Sequence, residues 1–347
     1  MAIARSILVD QVELGLHHCM TRCARGALLG GADPETGGSL DHRKAWLRER
    51  LIEVSQSFAI DVWAFSVSGD RYDLVLQTRP DVARTWSTAT VAERWLMLCP
   101  PRGSVLIDSA AAGAPSASYQ RALANLTRDA ERLELYRARL ADLSWFVRFV
   151  NEAVARRANR EENVTGRFWQ GRFRSQALLD SGAILSSMAS VDLRPLREET
   201  DRGLWDAGLT SVQERLARLH HQSEASVVRV MAMAIQPVLG PAGDRGLPEP
   251  FAQLSLRDYV ELLEWTGSQL NNTVEAEAMP AQLERLVSEF GLNPERWVST
   301  VGRFGDRFRL AVGSEGSLMR RANQLGKRWL HGRDEARQVY RREQSGA

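Results

Sequence analysis

The string AIDVWAFSVSGDRYDLVLQTRP, residues 59–80, constrains this chain most. It reads as two strands, 60–67 and 72–78, around a Ser-Gly-Asp turn, with Pro80 closing the second. Other apolar spacings supply partners for this pair. Residues 12–23 read as an extended segment, and a Gly-rich loop follows over 26–38. A helix is expected over 39–58, with Ser39 as N-cap and Trp46, Leu47, Leu51, Val54 and Phe58 at helical spacing. A second helix over 81–99 should end before Pro100-Pro101. An Ala/Gly/Ser-rich loop is expected at 102–118, then a long helical stretch over 119–160 with a break near Asp142. The segment VTGRFWQGRFRSQALLD reads as hairpin-like, bracketed by Gly166 and Gly171. A short helix, 181–191, runs into Leu193-Arg194-Pro195. The order β, α, ββ, α, α, β, α implies an α+β fold, with an antiparallel sheet covered by helices.

After about residue 222 the composition changes. Prolines and glycines over 235–250 suggest a linker, placed at 216–252. Helices at 255–272, 280–290, 294–303 and 315–340 then predict an all-helical tail over 253–347. For 347 residues, 44% hydrophobic and 25% charged, this two-part division suits a soluble globular protein. No apolar run of eighteen residues exists, so no membrane span is expected. The N-terminus lacks signal-peptide character. Three cysteines (Cys19, Cys23, Cys99) do not form a disulfide framework, which points to a reducing cytoplasm.

The net charge of +2 does not argue for a nucleic-acid partner; its distribution does. Apart from Lys44 and Lys327, every basic residue other than histidine is an arginine, whose planar fork suits phosphate. Between Trp145 and Leu178 stand Arg148, Arg156, Arg157, Arg160, Arg167, Arg172 and Arg174 against three acids, with Phe168, Trp169 and Phe173 interleaved. Arginines track phosphates and exposed aromatics stack on unpaired bases. The alternative is a solvated segment whose aromatics face the core, and Trp169 and Phe173 suit that role better. Residues 303–342 hold eleven basic residues and four acids, including Arg320, Arg321, Lys327 and Arg328. They read either as a helix–turn–helix with a turn at Gly326 or Gly332, or as an amphipathic helix with a solvated basic face. His17, His18, Cys19 and Cys23 lack zinc-site spacing, and neighbours on a strand point to opposite faces, so a structural role is expected.

Three segments in order, RYDLVLQTRP (71–80), GRFWQGRFRSQALLD (166–180) and MASVDLRPLR (188–197), resemble the IS200-like single-tyrosine transposases. The branch is that of the REP-associated tyrosine transposases. The likeness covers residues 1 to about 215. It continues into the tail through SLRDYVELLEWTG, LNPERWVSTVGRFGDRFRLAVGS and LGKRWLHG. It implies a ferredoxin-like core with helices on one face, a homodimer, and cutting and joining of single-stranded DNA. In that family a tyrosine attacks the phosphodiester while a His-x-His pair holds Mg2+ or Mn2+.

This chain departs from the family at each catalytic position. Arg71 and Asp73 stand where the two histidines belong, and Ser190 stands in place of the tyrosine. Residues two apart on a strand share a face, so Arg71 and Asp73 should form an ion pair rather than a dication site. Tyr72 should point away into the core. Tyr136 reads as a packing residue, and Ser190 has no visible base. The expectation is therefore a transposase-like, domesticated DNA-binding protein with no cofactor. It would bind single-stranded or hairpin DNA, with duplex open, through the seven arginines above together with Trp169 and Arg194. Two other readings stay open: an enzyme using another nucleophile or a partner subunit, and a protein-interaction scaffold without DNA binding.

Overall fold

A computed structural model describes residues 15–24, 26–33, 36–102, 116–198, 208–241, 249–271 and 278–341. The first strand is β1 (Gly15–Arg22), followed by helix α1 (His42–Ser57) and then by the hairpin β2 (Ile60–Val67) and β3 (Arg71–Thr78). Five helices come next: α2 (Pro80–Thr85), α3 (Thr88–Leu98), α4 (Ala117–Leu126), α5 (Ala130–Leu140) and α6 (Leu143–Glu161). Strand β4 (Arg174–Leu178) leads into α7 (Ser181–Asp192) and α8 (Arg194–Glu198). Then follow β5 (Leu209–Thr210), α9 (Ser211–Ala217), α10 (Glu224–Met231), α11 (Leu256–Leu270), α12 (Ala281–Glu289), α13 (Trp297–Gly302) and α14 (Phe304–Arg307). The chain ends in β6 (Ala311–Val312), α15 (Glu315–Gln324) and α16 (Arg333–Val339).

The molecule is a mixed α+β structure. Its six strands form one sheet in the order β5-β2-β3-β1-β4-β6, antiparallel except for the β4–β6 pair. The β2–β3 hairpin lies where the alternation puts it, with a bulge between Val62 and Ala64. Several local boundaries differ from the sequence reading. Helix α1 starts after Asp41 rather than Ser39, whose hydroxyl instead donates to the Asp41 carboxylate at 3.2 Å. The stretch 81–99 divides into α2 and α3 because Ser87 caps a new helix, its Oγ accepting from Thr90 N at 3.1 Å. The break at Asp142 is a cap too: its carboxylate accepts from Trp145 N at 2.9 Å and starts α6.

The segment 164–178 is not a hairpin. Only Arg174–Leu178 is a strand, and it pairs with β1. The preceding residues run on beside the end of β1, with Gln170 N donating to Arg22 O at 2.9 Å and Ala24 N to Phe168 O at 2.8 Å.

Helices cover both faces of the sheet, not one. On the first face, Leu47, Leu51 and Val54 of α1 and Phe146, Val150 and Val154 of α6 pack against Cys19, Phe65, Leu74 and Leu76. On the second, α7 and the later helices pack against Trp63, Ala64, Val75 and Leu178, bringing Tyr259, Leu263, Val287, Trp297 and Phe304. The reason is in the strands: β2 is buried along its whole length and β3 at every position after Arg71, as expected when both faces are covered.

The tail is not all-helical, since β6 extends the sheet beside β4. Within the expected linker, residues 238–239 bond to the sheet. Val62 N donates to Leu239 O at 2.8 Å and Val238 N donates to Val62 O at 2.8 Å, at the bulge. Residues 242–248, most of the loop expected at 102–118, and Val12–Glu13–Leu14 of the expected extended segment lie outside the described residues. Among the described residues no helix is long and apolar enough to cross a membrane.

Candidate functional site

Alternation along three neighbouring strands builds one polar surface. On β1 the residues His18, Met20 and Arg22 share a face, on β3 Arg71, Asp73 and Val75, and on β4 Arg174 and Gln176. The register aligns them: Arg22 lies opposite Arg71, Met20 opposite both Asp73 and Arg174, and His18 opposite both Val75 and Gln176. Two arginines directly opposite each other repel. A rule broken in this way, where a neutral pair would serve the fold better, marks a site shaped by something other than stability.

Asp73 is the anchor of this surface. It is completely buried, yet its carboxylate stays ionised. Burial alone would raise its pKa, but the charge of Arg194, the hydrogen bond from His18 and the charge of Arg71 outweigh it and hold the carboxyl well below the usual range. Arg71 meets it at two points, Nε to Oδ2 at 2.9 Å and Nη2 to Oδ1 at 2.8 Å. Arg194 Nε lies 3.1 Å from Oδ2, and His18 Nε2 lies 3.1 Å from Oδ1. The other nitrogen of His18 meets Gln176 Oε1 at 3.1 Å.

Asp73 accepts from Arg71 at both oxygens and meets His18 at one of them, and Arg194 lies against it as an ion pair, so little of a carboxylate's about four lone-pair sites stays open. The two residues that the resemblance sets at metal-binding positions, Arg71 and Asp73, therefore do not fit Mg2+ or Mn2+. One is a guanidinium, and the other is a carboxylate held by guanidinium groups and an imidazole.

Ser190, which the resemblance sets at the tyrosine's position, is buried on α7. Arg197 Nη2 donates to its carbonyl at 2.9 Å and approaches its hydroxyl at 3.3 Å. Through Nη1 the same arginine binds Gly302 O, tying α8 to the end of α13. The hydroxyl sits behind this guanidinium and does not reach open space. Tyr72 faces the opposite side in the core, and its hydroxyl donates to Asn151 Oδ1 at 2.6 Å. Tyr136 stacks on Trp95, 3.9 Å between ring centroids.

Over this floor opens a cleft of about 650 Å3. Strands β1, β3 and β4 form its base, α8 and the α13–α14 corner one wall, and residues 170–172 the other. Seven arginines line it: Arg22, Arg71, Arg172, Arg174, Arg194, Arg197 and Arg303. Among the described residues, no acidic side chain and no aromatic ring lines it. Arg22 has a distant surface partner, Asp70, at 3.6 Å. Arg172, Arg174 and Arg303 are exposed, and no carboxylate among the described residues pairs with them.

The arginines singled out in the sequence thus divide. Arg71, Arg172, Arg174 and Arg194 converge on the cleft. Arg148, Arg156 and Arg157 lie along α6 and have local partners. Arg148 is 3.7 Å from Glu152 and lies over the Trp145 ring, Arg156 binds Glu152, and Arg157 lies over the Trp46 ring at 4.0 Å. Arg160 and Arg167 are exposed and do not line the cleft. Trp169 is half-buried, its Nε1–H donating to Asn151 O at 2.9 Å.

The basic tail residues are elsewhere. Arg320 and Arg321 lie on α15, and Lys327 and Arg328 lie in the turn before α16, where Gly326 and Gly332 both adopt positive φ. The basic residues of α16 are occupied, since Arg333 and Arg337 both clasp Glu315 of α15.

Arg22, Arg197 and Arg303 belong to the cleft and were not singled out in the sequence. Arg22 had a visible signal, its two-residue spacing from Met20 and His18. Arg303 had none, being more than a hundred residues from the others. No family model matches the chain, and neither a curated protein nor a solved structure does.

Chemically, the cleft can hold anions. Guanidinium forks bind phosphate oxygens in pairs, and seven of them with no competing acid among the described lining residues make a focused positive field. Among the described residues that line the cleft there is no carboxylate, histidine, cysteine or tyrosine.

Proposed function

We propose that this protein is a transposase-like nucleic-acid-binding protein that holds a DNA backbone in the arginine cleft and does not cut it. One observation carries the reading: seven arginines from five separated parts of the chain converge on one cleft, with no acidic side chain among the described residues that line it. Charge scattered for solubility would mix both signs, whereas a backbone-binding surface concentrates one.

The likeness to the single-tyrosine transposases supports the choice of DNA. The inner strand order β2-β3-β1-β4, with α1 and α6 on one face, supports the ferredoxin-like core that the likeness implies. The likeness aligns Arg71 and Asp73 with metal-binding positions, and Arg71 lines the cleft. The ion-paired Asp73 and the covered Ser190 support the loss of cleavage. Cys19, Cys23 and Cys99 form no disulfide among the described residues, which accords with a reducing compartment, and the family likeness carries a homodimer with it.

The test joins binding and cleavage. Purified protein is incubated with labelled single-stranded, hairpin and duplex DNA, with and without Mg2+ or Mn2+, and run on native and denaturing gels. Binding without strand scission or a covalent adduct is the expected result, with affinity falling steeply as salt rises. A metal-dependent adduct would instead establish a working nuclease. Absence of binding to every DNA at low salt would leave a protein-interaction scaffold.

A further inference from the structure

Beside the arginine cleft lies a second recess, of about 360 Å3. Val147, Asn151 and Ala155 of α6 form one side, and Trp169 and Phe173 form the other. Gly171 and Arg172 line both cavities, so the two adjoin. Their chemistry differs sharply. Among the described residues the cleft has seven guanidinium groups and no ring, whereas the recess has two aromatic rings and the aliphatic Val147 and Ala155, with Ser144, Arg148, Glu152 and Arg172 completing its lining. This division matches the two halves of a nucleotide, a charged phosphate and a flat base with an apolar face.

The recess is held in shape before any ligand arrives. Trp169 is pinned through its indole N–H to Asn151 O, and its ring stands edge-on to Tyr72 and Phe168. The Tyr72 hydroxyl donates to Asn151 Oδ1, which fixes the side-chain amide with its Nδ2 as a donor. No group among the described residues accepts from that Nδ2.

We propose that this recess receives one unpaired nucleobase of the strand whose phosphate lies in the arginine cleft, with Asn151 Nδ2 donating to a base-edge acceptor. The proposal rests on the nucleic-acid reading above. A paired base stays in its stack and does not enter such a pocket. The recess therefore makes the protein selective for a looped-out or single-stranded base over continuous duplex.

The experiment compares two hairpins that differ only in the loop, one with all its bases and one with a single loop base replaced by an abasic site, the replacement being moved along the loop. Wild-type protein should bind the intact hairpin about tenfold more tightly than the abasic hairpin at one loop position. Ala155→Leu, which fills the recess while keeping a good helix former, should abolish that preference and leave affinity for the abasic hairpin unchanged. Asn151→Asp keeps an acceptor for Tyr72 and removes the donor, and should also reduce the preference. Circular dichroism checks that both variants fold. Equal wild-type affinity for every hairpin, or a preference that survives both substitutions, would overturn the base pocket while leaving DNA binding intact. Failure of the wild type to bind either hairpin would instead remove the reading beneath it.

Discussion

Arg71 and Asp73, two residues apart on β3, form a two-point ion pair on the floor of a cleft otherwise lined by arginines. Asp73 also takes Arg194 from α8, so one buried carboxylate orients two guanidinium groups from different elements. It offsets their mutual repulsion in the absence of a ligand and points them at whatever anion enters.

Replacing Asp73 by Asn keeps the shape and removes the charge. Arg71 and Arg194 would then be partly buried beside each other with no counter-ion. A loss of about 3–5 kcal/mol in unfolding free energy is expected, the usual cost of breaking a buried pair from one side. Urea denaturation measures it, and an unchanged midpoint would show that Asp73 does not carry this load.

Acid sensitivity should come in two stages. His17 is buried, and burial first, then the charge of Arg321, pushes its pKa down from 6.5 to about 4. The folded protein thus keeps His17 neutral while the unfolded chain takes up a proton below pH 6.5, so stability falls as pH falls from 6.5 towards 4. Between pH 7 and pH 5 this group alone should cost about 2 kcal/mol. His17→Gln should flatten that part of the curve. Asp73, whose folded pKa is depressed, contributes stability that is fully present above its unfolded value and lost only in stronger acid.

The two sets of arginines should behave differently towards DNA. Arg172→Ala and Arg174→Ala, exposed and in the cleft, should each weaken binding by about tenfold, the worth of one charge-assisted hydrogen bond. Each should also lower the salt slope by about one. Arg156→Ala and Arg157→Ala, on the outer side of α6 with partners of their own, should change affinity less than twofold. Fluorescence anisotropy across a salt series checks both, and equal losses in the two sets would move the binding surface onto α6.

Ser190→Ala should leave DNA affinity unchanged, because its hydroxyl lies behind Arg197 rather than in the cleft. On the non-cutting reading, neither this variant nor the wild type should form a covalent adduct with DNA. An adduct in the wild type that disappears in Ser190→Ala would show that the serine is reached after all.

Much of the frame was legible because it depends on local period. The alternation in 59–80 marks β2 and β3, and the same two-residue repeat places Arg71 and Asp73 together and Tyr72 apart. The helical break at Asp142 was legible as well, being a capping residue between two apolar periods. The hairpin expected at 164–178 failed because the sequence shows an extended tendency but not the partner. That stretch pairs with β1, far away in the chain. One-sided cover failed for a related reason: the near-continuous apolar run of β2 signalled two buried faces, but nothing local said which later helices would fill the second.

By itself, then, the sequence determined the β2–β3 hairpin, the Arg71–Asp73 pair on one strand face, and a surplus of arginine in 145–178, all properties of spacing and residue type. Only the tertiary structure decided which arginines act together. It drew Arg22 from β1, Arg172 and Arg174 from the edge of β4, Arg194 and Arg197 from α8 and Arg303 from the α13–α14 corner onto the Arg71–Asp73 floor, and it left Arg156 and Arg157 outside. The physical reason is that a cleft is a property of strand register and of how distant helices close over a sheet. Charges separated by up to two hundred and eighty residues become one field only when that packing brings them within a few ångströms of a shared anion.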